Sequence, residues 1–212
     1  MNLQASQTLD FASAVRANRI NAELLRRLPR LGLPDCWLVA GCLFQTVWNL
    51  KSGRQPEEQI LDYDVFYYDD SDLSYEAEDA QIKRVEIACK DLGIKLELRN
   101  QARVHLWYKQ RFGHDYPLLN CTLDGIDRFL VACTCVGIRC TQRLPYAVYA
   151  RFGLEDLYTG VLRPNPLHLL ESLFVEKALS YQRRWPGLKI ELNPTDVEDR
   201  LFGLLPAVGS AS

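Results

Sequence analysis

Two aspartates separated by one residue, Asp62 and Asp64, are the part of this sequence best suited to chemistry. They sit in a stretch from Ile60 to Tyr68 that is rich in aromatic and β-branched residues and reads as a β-strand. Residues two apart on a strand project from one face, so the two carboxylates point the same way. Anions that close raise each other's pKa unless a cation lies between them. An all-oxygen ligand set suits magnesium, which usually takes one or two carboxylates, several waters and substrate phosphates. With two ions roughly 3.5–4 Å apart, such a site can activate an attacking hydroxyl and neutralise a triphosphate. Taken alone, an acidic pair on a half-exposed strand is more often a solvated face than a site.

Two neighbouring features change that balance. Val39-Ala40-Gly41-Cys42 lies where an apolar run gives way to a helical pattern. A glycine there lets the backbone approach a ligand closely, and a helix N-terminus offers free N–H groups to phosphate. One helix after the aspartates comes Leu96-Glu97-Leu98. With Ile94, Leu96 and Leu98 facing the core, Glu97 faces away, as the aspartates do. Each feature alone has an ordinary structural reading, a strand-to-helix turn or a solvent-facing charge. A glycine turn, an acidic pair and a lone later acid, in that order, are much less readily produced by chance.

The elements that must position these groups can be read around them. Apolar residues recur at helical spacing from Leu9 to Leu31 (Ala12, Val15, Ile20, Leu24, Leu25, Leu28), and Gly32 and Pro34 stop the pattern. Cys36 to Ala40 suits a buried strand, and Leu43 to about Gly53 a helix. Ser74 is placed to cap a helix that runs to about Leu92 and stops at Gly93, with Glu76 and Glu78 near its positive end. Ile94 to Leu98 reads as a strand, followed by a mixed segment to Phe112 and a loop over 113–117. A short helix is expected over Thr122–Leu130, a strand over Cys133–Arg139, and a C-terminal helix over Leu167–Arg184 ended by Pro186-Gly187, with 207–212 as a loose tail. No internal repeat or interdomain linker is evident.

Composition narrows the class of protein. The chain has 212 residues, 48% of them hydrophobic, which suffices for a sizeable core and excludes a disordered chain. The formal net charge is -2 and no basic stripe dominates, which argues against extensive nucleic-acid contact. Arg26, Arg27 and Arg30 are interleaved with leucines and read as the outer face of an amphipathic helix. The start of the chain is polar and no apolar run approaches the ~20 residues that span a bilayer, so a cytoplasmic protein with reduced cysteines and no membrane partner is expected. Cys133, Cys135 and Cys140 lack a CxxC pair and are read as buried thiols, with Cys133 and Cys135 on one strand face.

The ordered triple resembles the polymerase-β-like nucleotidyltransferase superfamily, whose pattern is a hydrophobic residue and glycine, an acidic pair spaced by one, and a third acid between hydrophobics. Longer stretches are similar to a bacterial family of nucleotidyltransferase-like proteins. These are Gly41–Asn49, Asp62–Asp69, Leu73–Asp79, Asn100–His105, Thr134–Arg139, Phe152–Leu157 and Arg163–Asn165, within roughly residues 36 to 190. The resemblance implies a nucleotidyltransferase fold of the α/β (α+β) class, a mixed sheet flanked by helices. One domain over 1–212 is expected, with an N-terminal helical region (1–34), a catalytic core (36–140) and a C-terminal extension (141–212).

It also implies roles. Asp62 and Asp64 would bind Mg²⁺ or Mn²⁺, Glu97 would complete the site as ligand or general base, and Gly41 and Cys42 would contact the triphosphate. The reaction would move a nucleoside monophosphate from a nucleoside triphosphate to a hydroxyl and release pyrophosphate. A small molecule or protein is the favoured acceptor, and tRNA is retained. The alternatives are a nucleotide-binding module without turnover and a partner-binding protein that has kept the fold. The sequence departs from the superfamily in having Cys42 where serine is usual, a weaker hydrogen-bond donor, and in a longer span between Cys42 and Asp62 around Pro56.

Other residues have two readings each. If the strand holding Glu97 continues, Arg99, Gln101, Arg103 and His105 share its face. Arg103 could then grip triphosphate bidentately or pair with Glu97 or Asp64. Lys177, on the C-terminal helix, could reach a phosphate or lie in solvent. For His105 a structural role is favoured, and more so for His114 and His168. Trp48, Trp107 and Tyr63 read as core or pocket wall in preference to base-stacking platforms.

Overall fold

Asn18 divides the N-terminal helical region into two helices, α1 (Leu3–Ala17) and α2 (Arg19–Arg27), where the spacing predicted one. Its side chain accepts hydrogen bonds from the N–H groups of Ile20 and Asn21, which starts α2 afresh. The same buried side chain donates to Thr46 and Tyr63, fastening the break to two later elements. The computed structural model describes residues 3–113, 115–140, 146–168 and 170–192. His114 and the expected tail at 207–212 lie outside the described residues.

After α2 come β1 (Trp37–Val39), α3 (Gly41–Lys51), β2 (Tyr63–Tyr67), α4 (Tyr75–Cys89) and β3 (Leu96–Asn100). Then follow α5 (Val104–Phe112), α6 (Thr122–Ile126), β4 (Val136–Arg139), β5 (Ala147–Ala150), α7 (Glu155–Thr159), β6 (Val161–Leu162), α8 (Glu171–Arg184) and β7 (Lys189–Ile190). Ser74 caps α4 through the Ala77 N–H, as its position predicts, and Gly93 turns the chain in the left-handed conformation (φ 64°) toward β3.

Five strands form one mixed sheet in the order β3-β2-β1-β4-β5. β2 and β3 are parallel, joined by the α4 crossover, and the other pairs are antiparallel. β6 and β7 form a separate parallel pair. One face of the central strands packs into a large hydrophobic cluster that draws on α1 (Phe11, Val15), α3 (Leu43, Val47, Trp48), β2 (Tyr63, Val65, Tyr67) and α8 (Phe174, Tyr181). α3 lies in the middle of it, buried at every position from Gly41 to Asn49. A second, smaller cluster on the other face joins Trp37, Val39, Ile126 and Cys135.

The thiols divide between these two cores. Cys133 belongs to the larger and Cys135 to the smaller, because residues 132–134 form a 3-10 turn and β4 begins only at Val136. The expectation that they share a strand face is therefore corrected, while their burial and free state agree with it. Arg27, in the last turn of α2, pairs with Glu23 and Asp91 and donates to the Ala88 carbonyl, so it joins α2 to α4. The polar segment around Pro56 is tied down by Asn49, which donates to the carbonyls of Pro56 and Glu58.

Candidate active site

The turn from β1 into α3 places the glycine. Ala40 adopts φ 61° and ψ −141°. This conformation costs a side-chain-bearing residue about 1–3 kcal/mol and persists only where surrounding structure enforces it. Asn21 helps to enforce it by donating to the Cys42 carbonyl at 2.7 Å, as does Thr46 at the same distance. A side chain on Gly41 would have its Cβ 2.6 Å from Nε2 of Gln45, so glycine is needed for Gln45 to lie where it does. The start of α3, at Gly41, lies in the lining of a cavity of about 520 Å³.

Strand register supplies the acids. Asp64 stands directly between Val39 of β1 and Glu97 of β3, its Cα partners on either side. Val39 before the glycine turn, Asp64 and Glu97 thus come from three adjacent strands and meet in one row across the sheet, while Asp62 lies just before β2, which begins at Tyr63 and not at Ile60 as expected. β2 alternates buried Tyr63, Val65 and Tyr67 with half-buried Asp64 and Phe66, which puts the acidic row on the face away from the main core. Asp62 and Asp64 both line the cavity beside Gly41.

The electrostatics follow from this crowding. Burial, then the charges of Asp62 and Glu97, push the Asp64 pKa from 3.8 up to about 7, against the opposing pull of Arg99 and Lys95. Glu97 lies below its ordinary value because Lys95 hydrogen-bonds to it. Lys95 Nζ is also 3.7 Å from Asp62, and Arg99 is 3.6 Å from Glu97. Among the described residues no three acidic, imidazole or thiol groups converge as a ready cation cage. Glu97 is turned onto its two basic neighbours instead. The donor set nonetheless suits a hard divalent cation: two cavity-facing carboxylates, with Asp64 raised by anions that an ion would neutralise.

Of the other residues singled out in the sequence, Lys177 lines the same cavity from α8, its Nζ 5.4 Å from the Tyr181 ring centre. Cys42 does not line it. The thiol is fully buried in the main core, donates to the Val39 carbonyl at 3.2 Å, and has its pKa raised well above normal by burial. A direct phosphate contact through that side chain is corrected; only the backbone at Cys42 stands at the helix start.

Arg103 is also corrected. β3 ends at Asn100, whose side chain accepts from the Ala102 N–H and turns the chain into a 3-10 segment and then α5. The extended face on which Arg103 and His105 would follow Glu97 therefore does not exist. Arg103 is buried, ion-paired with Glu78, and donates from Nε to the Leu73 carbonyl at 2.9 Å. Its partner is thus neither of the expected acids, Glu97 or Asp64. His105 lies on α5, outside the cavity.

Two further residues were not singled out from the sequence, Arg128 in the cavity lining and Arg184 near Asp62. Arg184 lies on the face of α8 that carries Lys177 and Tyr181, donates to Gln45 at 3.3 Å, and is near enough to Asp62 to interact with its charge. The spacing 177, 181, 184 was the available signal. Arg128 and His168 also line the cavity, with Arg128 Nη2 3.1 Å from His168 Nδ1, so His168 belongs to the pocket despite the low expectation placed on it.

Residues 26–190 match the family model described as nucleotidyltransferase. The chain belongs to that family. Among solved structures, this nucleotidyltransferase is similar to one whose NMR structure is described as revealing a CCA-adding enzyme head domain. The identity is 26% and the TM-score 0.69, over 87% of this chain and 96% of that one. An apo tRNA-processing enzyme (15% identity, TM-score 0.48) and a CCA-adding enzyme with ATP (17%, 0.47) also align over 86% and 85% of this chain. The alignment spans only 50% and 40% of those two proteins, and at these scores they add nothing to the comparison. No curated protein matches the sequence.

Proposed function

We propose that this nucleotidyltransferase moves a nucleoside monophosphate from a nucleoside triphosphate to a hydroxyl of its acceptor and releases pyrophosphate, in an Mg²⁺- or Mn²⁺-dependent reaction. The observation that carries the reading is the single row Val39–Asp64–Glu97 with Asp62 beside it, its two aspartates in the lining of a cavity that also holds Lys177 and Arg128. Asp62 and Asp64, joined by Glu97, would hold the divalent ion. When bound, the ion supplies charge neutralisation of the triphosphate and acidification of the attacking hydroxyl.

The remaining work belongs to the chain itself. The N-terminus of α3 reaches the cavity at Gly41, and the positive end of a helix dipole suits phosphate oxygens. Lys177 and Arg184 on α8 supply positive charge for the β- and γ-phosphates, where negative charge builds as the bond from the α-phosphorus to the bridging oxygen breaks. Gln45 and Tyr181 hold Arg184 in place, so its position is set before substrate arrives. The electron pair of the broken bond leaves with pyrophosphate, the acceptor oxygen takes its place on phosphorus, and the hydroxyl proton passes to a carboxylate of the acidic row.

The alternative of a binding module without turnover drew on Cys42 in place of serine. A thiol directed into the core gives it no support, because the side chain at that position faces away from the cavity. Among the described residues no helix is long and apolar enough to cross a membrane. We place the protein in the cytoplasm as part of the same proposal. The test is incubation with labelled ATP, CTP, GTP or UTP and Mg²⁺ or Mn²⁺. Release of pyrophosphate supports the enzyme; a nucleotide-induced rise in melting temperature without pyrophosphate supports the binding module.

A further inference from the structure

A second cavity, of about 200 Å³, opens beside the first. Its walls are Phe66 and Arg99 from the sheet, Trp107 and Tyr108 from α5, and Tyr116 and Arg128 from the loops. Tyr108, Arg128 and Phe129 line both cavities, so one wall divides them. Phe66 and Arg99 are cross-strand partners. They stand two residues beyond Asp64 and Glu97 on the same face, a displacement of about 7 Å along the strands. The second cavity is thus one pleat further along the acidic row, and a sugar can bridge that interval.

Its chemistry is specific. The Tyr108 and Tyr116 rings pack at a tilt of 39° with centroids 4.3 Å apart, and the Trp107 ring centre lies 6.1 Å from that of Tyr108. Trp107, Tyr108 and Tyr116 are all half-buried, so their rings retain exposed surface for a flat ligand. Two guanidinium groups flank them. Arg128 lies 5.1 Å over the Tyr116 ring, and its Nε is buried without a hydrogen-bond partner. A buried donor left unpaired costs free energy unless something accepts from it. Arg99 reaches into the same cleft from β3. Aromatic faces beside paired arginines are the combination that binds a base by stacking and a phosphate by charge.

We propose that this cleft is the acceptor subsite and that the acceptor is a nucleotide, its base on the Trp107–Tyr108–Tyr116 cluster, its phosphate on Arg99 and Arg128, and its sugar hydroxyl directed at the Asp62–Asp64 pair. The inference rests on the proposed nucleotidyl transfer and names its second substrate. A free mononucleotide and the 3′-terminal nucleotide of an RNA chain carry the same base, sugar and phosphate. The sequence-level preference for a small-molecule or protein acceptor is narrowed accordingly.

The test occupies the triphosphate site first. Wild-type protein is saturated with α,β-methylene-ATP and Mg²⁺, then titrated calorimetrically with AMP and with the trinucleotide ApApA bearing a free 3′-hydroxyl. Binding of either supports the proposal. Comparable affinities identify a free nucleotide, and a much tighter trinucleotide identifies an RNA end. Trp107→Ala is expected to weaken that binding about 5- to 150-fold, the loss of one base stack, while Trp107→Phe restores most of it. Arg128→Gln weakens it and flattens its salt dependence. The melting-temperature rise given by the ATP analogue alone stays unchanged in both Trp107 variants. If wild type binds the analogue but neither AMP nor ApApA, or if the Trp107 and Arg128 variants bind them as wild type does, the acceptor assignment is overturned while the proposed transfer stands. If wild type fails to bind the analogue at all, both fall together.

Discussion

Asp64→Asn separates the two consequences of the acidic row, because it removes a charge and keeps the shape. In the native protein Asp64 titrates at about 7 instead of 3.8. Such a difference of about 3 units corresponds to about 4 kcal/mol at 1.36 kcal/mol per unit. Solvent screening and local relaxation reduce that to about 1–2 kcal/mol for a half-buried group. The sign is fixed by linkage. The folded state holds this proton more tightly than the unfolded chain, so the stability it contributes is complete below pH 4 and is lost as pH rises through about 7. The asparagine variant does not titrate there and escapes the loss. At pH 8, without divalent ions, Asp64→Asn should melt about 2–8 °C above wild type, a gap that closes toward pH 4–5. Added Mg²⁺ should raise the wild-type melting temperature at pH 8 and leave the variant nearly unmoved, while pyrophosphate release in the variant falls about 10²–10³-fold. Fluorimetric melting across pH 4.5–8.5 and a pyrophosphate assay are sufficient. A variant less stable than wild type at pH 8, or one with full transfer activity, refutes the account of Asp64.

Arg103→Met should destabilise the protein by about 3–5 kcal/mol in urea unfolding, since it leaves Glu78 charged and buried without its partner. The KM for nucleoside triphosphate in the folded fraction should not change; a raised KM at normal stability would return Arg103 to the triphosphate. Lys177→Met should show the opposite pattern, with KM for the triphosphate raised roughly tenfold and a melting temperature within about 2 °C of wild type. Equal KM values for the two proteins would remove Lys177 from the site. Cys42→Ser, which introduces the superfamily's usual residue, should lower stability by about 1–2 kcal/mol by burying a hydroxyl in the apolar cluster, and should leave the transfer rate unchanged. A clear rise in rate would mean that the side chain at this position does reach the phosphates.

Local rules account for what the sequence alone determined. Side-chain alternation on a strand has a period of two, so Asp62 and Asp64, and Leu96, Glu97 and Leu98, could be assigned to faces from their own neighbours. The glycine at a strand-to-helix junction, the Ser74 cap and the Gly93 stop are equally short-range, and the structure bears them out. Order along the chain was enough to suggest the family.

Tertiary structure decided whatever depended on which strand lies beside which. Nothing within β2 or β3 states that Asp64 pairs with Glu97, or that β1 brings Val39 and Gly41 to its other side; that register is fixed by the sheet order and by an α4 crossover. The fate of Arg103 turned on Asn100. Its side chain bonds Ala102 in a turn, whereas periodicity could not distinguish that from one more residue of strand. Lys177, Arg128 and His168 come from segments far from the aspartates in sequence, and packing of α8 and the loops over the sheet brings them into one cavity. Alternation and capping act over four residues or fewer, while the cavity is made by contacts across more than a hundred. The acids and Lys177 could be picked out from the chain, and Arg128, Arg184 and the aromatic cleft only from the fold.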